Sequence, residues 1–144
     1  MISREPIYAA LFARVSGAAE FVTMGRRLRH WSGMAPAEQP ALFMRQKEEV
    51  AKVPTLGAPI VWTLIVELYL YAHSSNRQVA PATVLNPLID AVEAALAPPV
   101  AIGRLDLGMP ATVQHAYIAG KIATDEGVLR DQAVAIIPVE ILCL

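Results

Sequence analysis

Cysteine is nearly missing from this 144-residue chain: Cys143 is the only one. That excludes an internal disulfide framework and any thiolate metal cluster. Charge is also scarce. Asp, Glu, Lys and Arg make up 17% of the residues, against roughly a quarter in ordinary globular chains. The formal net charge of −1 leaves no overall bias toward nucleic acid or acidic lipid. No window reaches about 18 uninterrupted apolar residues, so no transmembrane helix is expected. The opening stretch "MISREPIYAALFARVSGA" has a short apolar run interrupted or flanked by Arg4, Glu5 and Arg14, which is not a signal-peptide profile. The expectation is a soluble chain made in a reducing cytoplasm. A phosphate loop is absent too, since "GRLDLG" at 103–108 lacks the Lys and Ser/Thr that such a loop needs.

What the chain has in quantity is apolar residues, 55% of the total. With so little charge, this composition fits a surface meant to be covered by other chains, and it equally fits an Ala-rich sequence with no such role. The length suits one domain, 1–144, able to bury a core without staples. Along it, Ile7, Leu11, Phe12 and Val15 form a helical stripe, with Ser3 placed as N-cap and Pro6 in the first turn. This predicts a helix over about 4–16, stopped at Gly17. "RRLRHW" (26–31) reads as a short strand and "PALFMRQKEEV" (40–50) as a second, followed by the loop "AKVPTLGAP".

The most apolar stretch, "VWTLIVELYLYAH" (61–73), divides by parity. Trp62, Leu64, Val66, Leu68 and Leu70 are uniformly apolar, while Val61, Thr63, Ile65, Glu67, Tyr69 and Tyr71 are mixed. A period of two with so many β-branched and aromatic residues predicts a strand with the first set in the core and the second facing water or a partner. Residues 81–96 place Val84, Leu88, Val92 and Leu96 four apart, which predicts an amphipathic helix with Pro87 as a kink or break. "IGRLDLG" (102–108) reads as a short strand or a loop. "VQHAYIAGKIAT" (113–124) and "QAVAIIPVEILCL" (132–144) read as strands joined by the link "DEGVLRD". In the last strand Ala135, Ile137, Val139, Ile141 and Cys143 share one apolar face, with Pro138 and Glu140 on the other. Pro138 cannot donate a ladder hydrogen bond, so that strand is expected at a sheet edge or bulged there. The fold class is α+β: a mixed, largely antiparallel sheet of about five strands flanked by two helices.

Catalytic constellations are not evident. His30, His73 and His115 lie on separate segments without metal-ligand spacing, and Cys143 reads as a small hydrophobe. Asp125, Glu126 and Asp131 share one link but lack the alternate-position pattern of a calcium loop, so a solvated acidic turn is expected. No catalytic residue, metal ligand or cofactor is assigned. The one concentrated basic patch joins Arg26, Arg27, Arg29 and His30 to Trp31. It suits phosphates or an acidic protein surface, or is a solvated strand; chain neutrality disfavours specific DNA recognition and leaves protein contact ahead. The candidate interface residues are therefore Arg26, Arg27, Arg29, Trp31, Glu67, Tyr69, Tyr71 and Glu140.

The succession "IYAALFARV", "RRLRHW…PALFMRQ", "VWTLIVELYLYAH", "NPLIDAVEAAL" and "GKIATDEGVLRDQAVAIIPVEI" resembles, over nearly the whole chain, the phage and prophage tail terminator (tail-completion, lambda tail protein U-like) family. The resemblance is one of pattern and element order. It implies a mixed sheet flanked by helices and a homo-oligomeric ring, typically a hexamer. The ring caps the tail tube, ends its polymerisation and presents the head–tail joining surface. The implied partners are the chain itself, the tail tube protein and the head–tail connector proteins. DNA passes through without specific binding, and no membrane or small-molecule substrate is involved. The implied location is the virion, with assembly in the host cytoplasm. Other readings are a head-completion or neck connector protein, a small nucleic-acid-binding module acting through "RRLRHW", and a ligand-binding module or enzyme with its pocket between the sheet and helix 81–96.

Overall fold

The computed structural model describes residues 1–126 and 130–144. Helix α1 (Arg4–Ser16) carries Glu5 in its first turn and Arg14 in its last, the order that suits the helix dipole. It buries Ile7, Tyr8, Leu11 and Val15, one stripe at helical spacing. Strand β1 (Thr23–Gly25) is followed by two single 3-10 turns, Trp31–Gly33 and Pro36–Glu38, then by β2 (Ala41–Lys52) and β3 (Val61–His73). Helix α2 (Ala82–Ala95) comes next and keeps Pro87 inside it. Strands β4 (Val113–Ile118), β5 (Ala123–Glu126) and β6 (Gln132–Cys143) complete the chain. The class is α+β, with six strands among the described residues rather than about five.

The sheet runs β1-β2-β3-β6-β4, and β5 also pairs with β6. Among the described residues only β1 on β2 is parallel. The centre is the β3–β6 ladder, twelve matched pairs from Trp62↔Cys143 to His73↔Gln132. Because side chains alternate across a strand, this register puts Leu64, Val66, Leu68 and Leu70 on one face with Ala135, Ile137, Val139 and Ile141, all fully buried. Both helices cover that face, and Ile7, Leu11, Leu85 and Val92 complete the core. Trp62, on the same parity, is only partly buried and has the Arg4 guanidinium 4.7 Å from its ring centroid.

Four expectations are corrected. "RRLRHW" is not a strand: residues 26–30 run as irregular chain into the first 3-10 turn, and the strand there is the three-residue β1 just before it. "VQHAYIAGKIAT" is two strands, β4 and β5, separated at 119–122. The strand bearing Pro138 is not at an edge, for β6 lies between β3 and the β4/β5 pair. The Pro138 carbonyl accepts from Ala119 N–H at 3.1 Å, so its side of the ladder is the one facing the β4/β5 interruption. A proline has no N–H to return, and the partner strand breaks there instead of β6. Finally, Tyr71 does not face water: it is buried in a second cluster with Met34, Ala41, Phe43 and Val134.

β2 also departs from simple alternation. Its pairing with β3 shifts between Gln46 and Glu48, leaving Lys47 as the extra residue of a β-bulge. Beyond it Glu49, not Glu48, faces the helices. There Glu49 accepts from Arg4 Nε at 2.7 Å and from Tyr8 Oη at 2.9 Å.

The alternation is directly testable. Leu68→Ala is expected to lower the urea-unfolding free energy by about 3 kcal/mol, as for fully buried leucines. Glu67→Leu, one residue away on the other face, stays within about 1 kcal/mol of the parent; an unfolded Glu67→Leu protein would reverse the assignment of faces. Burial pushes the Cys143 thiol up to about 11, so at pH 8 its alkylation by iodoacetamide is expected to be at least about 100-fold slower in the native protein than in urea.

Candidate functional site

The face of the sheet opposite the helices is built from the second parity set. From β3 it presents Val61, Thr63, Ile65, Glu67 and Tyr69, and from β6 Ile136, Pro138, Glu140 and Leu142. All are partly exposed. On this face Glu67 lies across from Arg45, 3.8 Å away, and accepts from Tyr69 Oη at 3.3 Å. Glu140 accepts from Tyr117 Oη at 3.0 Å. Burial and the neighbouring carboxylate raise the ionisation of both tyrosines above the usual value.

One end of this face is roofed by segment 26–40. Tyr71 Oη donates to the Arg29 carbonyl at 2.6 Å, and Gln39 Nε2 donates to Gln132 Oε1 at 3.0 Å. Within the segment Arg29 pairs with Glu38 at 2.8 Å, and Glu38 also accepts from Ala35 N–H, which holds the carboxyl of Glu38 below its usual value. Between roof and sheet lies a cavity of about 550 Å³, the largest pocket described, lined by Trp31, Tyr69 and Tyr71 together with Leu28, Val134 and Ile136. His30 and Asp125 also reach it. The cavity thus lies on the face away from α2, not between the sheet and that helix.

The structure therefore gathers Trp31, Tyr69 and Tyr71 and sets Glu67 beside them. Glu140 belongs to the same face but stands further along β6. The basic patch comes apart. Arg26 turns toward the helix side, where it pairs with Glu5 of α1 and reaches Gln46 at 3.3 Å. Arg29 is neutralised by Glu38. Of the three arginines only Arg27, exposed, makes no ion pair among the described residues. Two of the three charges are thus cancelled locally, which weakens the case for phosphate contacts.

The acidic link comes apart as well; its residues 127–129 lie outside the described ones. Asp125 and Glu126 are strand residues and point to opposite faces. Glu126 accepts from Ala82 N–H at 2.8 Å, the first residue of α2, where the helix leaves its donors free. Asp125 reaches the cavity, and the Asp131 carbonyl takes Ser74 N–H at 2.8 Å. His115 is structural: its Nδ1 accepts from Leu105 N–H at 3.0 Å. Among the described residues no three His, Cys, Asp or Glu side chains gather as a metal site, and no helix is long and apolar enough to cross a membrane. Sequence reasoning missed Leu28, His30, Asp125, Val134 and Ile136 as cavity residues. They come from three separate segments, and no local pattern joins them.

No protein-family model matches the chain, and no curated protein matches it in sequence.

Burial is the main cause that pushes both Tyr8 and Tyr71 up to about 12, and for Tyr8 the bond to Glu49 adds to it. The folded state holds these protons more tightly than the unfolded chain does. Their contribution is complete below pH 10 and is lost as pH rises toward 12. Unfolding followed by circular dichroism is expected to show a stability plateau up to about pH 10 and a fall above it. Tyr71→Phe is expected to make that fall shallower.

Proposed function

We propose that the chain is a ring-forming structural subunit of the tail terminator type, which caps a tail tube, ends its polymerisation and offers the head–tail joining surface. The observation that carries this reading is the chemistry of the open sheet face. An antiparallel sheet with one face in water normally alternates apolar inside with polar outside. Here the outward positions of β3 and β6 are Val61, Thr63, Ile65, Glu67, Tyr69, Ile136, Pro138, Glu140 and Leu142, of which only Glu67 and Glu140 carry charge. This central strip, flanked on the same face by Arg45 and Glu48 of β2 and Asp125 of β5, is poor in charge, which favours it at a contact between chains. A face that docks on a different surface of the next copy is a heterologous contact, and rings arise when its rotation closes. The resemblance in element order supplies the kind of ring.

Light scattering is expected to give six times the chain mass of 15.5 kDa, alone or in the presence of tail tubes. Ile65→Glu, at the middle of the open face, is expected to reduce that to a single folded chain and to let tubes grow past their set length. A single-chain mass for the parent both alone and with tubes overturns the proposal.

A further inference from the structure

The roofed cavity has a chemistry of its own, independent of whether copies of the chain associate. It is lined by four rings, Trp31, His30, Tyr69 and Tyr71, of which Trp31 and His30 stand with centroids 5.2 Å apart. The polar ends of three of these rings are already engaged. Tyr71 Oη is spent on the Arg29 carbonyl, Tyr69 Oη on Glu67, and His30 Nδ1 accepts from Ser32 N–H at 3.2 Å. Tyr71 is further set by the Phe43 ring, 5.6 Å from its own. The walls are therefore fixed before anything binds, which is what makes a small pocket effective.

Charge is the second observation. Among the described residues the one carboxylate on the lining is that of Asp125, and no Lys or Arg lines it. Asp125 is exposed and takes part in none of the four ion pairs described. Beyond Tyr69 the further charges on that side are Glu67 and Arg45, which pair at 3.8 Å and largely cancel, so Asp125 sets the sign of the lining. Ring faces carry the negative end of the aromatic quadrupole and attract cations, the more so when water is partly excluded. An anion meets repulsion here, and a neutral apolar ligand gains nothing from Asp125. We propose that this cavity binds the positively charged head of an alkylammonium or guanidinium group, with the rings as its walls and Asp125 as counter-charge at the mouth. That head belongs either to a free small cation or to a basic side chain of another polypeptide.

The test is calorimetric titration of the full chain with choline, with its uncharged isostere 3,3-dimethylbutan-1-ol, and with the tripeptide glycyl-arginyl-glycine. Choline or the arginine peptide is expected to bind saturably, and the neutral isostere at least about tenfold more weakly, the gap that cation–π attraction in a partly dry site provides. Binding of the peptide alone identifies the source as a polypeptide, and binding of choline identifies a free cation. Asp125→Asn, an exposed and isosteric change, is expected to weaken binding about tenfold without altering the circular dichroism spectrum. Trp31→Leu is expected to abolish it. Equal affinity for the neutral isostere, an unchanged affinity in Asp125→Asn, or no saturable binding of either cation overturns the assignment.

Discussion

The rest of the molecule depends on the register of β3 against β6. Both strands alternate strictly between uniform aliphatic residues and mixed ones, and twelve consecutive pairs bring the two alternations into phase. A slip of one residue would set Leu64, Val66, Leu68 and Leu70 on the opposite face from Ala135, Ile137, Val139 and Ile141. In phase, they make a single apolar surface that both helices can cover at once. The same phase leaves a second surface with no helix to cover it. What that surface contains is thus a by-product of the ladder that builds the core.

Two interruptions then adjust what the ladder places. The bulge at Lys47 reverses the parity of the last part of β2 and so brings Glu49 to the helix side, where Arg4 and Tyr8 hold it. Without the extra residue, Glu48 would face the helices and Glu49 the open side. The proline at 138 acts on its neighbour, not on its own strand. β6 keeps its full pairing with β3, while the opposite edge splits into β4 and β5. The split opens a groove on the open face in which Glu67, Pro138 and Glu140 take part.

Much of this was legible in the sequence because it rests on local period. The bounds of α1 and β3 follow from the stripe at Ile7, Leu11 and Val15 and from the parity of residues 61–73, and α2 follows from its spacing of four. The strand β1 was not legible, since three residues in parallel pairing carry no period. "RRLRHW" misled because polar residues on both sides of Leu28 imitate a solvated strand, whereas Tyr71, more than forty residues on, sets its path through the Arg29 carbonyl. Tyr71 itself has the correct parity for the open face. It is buried because segment 26–40 lies over that end, a tertiary fact with no signature in the strand. The three aromatic residues Trp31, Tyr69 and Tyr71 were each identifiable as candidates, but their meeting with Asp125 depends on β5 pairing at one end of β6.

The outer edge of β2 has a consequence of its own. β1 pairs with only Ala41, Leu42 and Phe43, so most of this long strand offers unpaired backbone groups along the margin of the sheet. Such a margin invites strand addition from a second copy, and fibres when addition repeats. Here the uncovered part carries Arg45, Lys47, Glu48 and Lys52 and is kinked by the bulge at Lys47, which turns an incoming strand away. The molecule thus closes the route of continuous sheet growth at this margin.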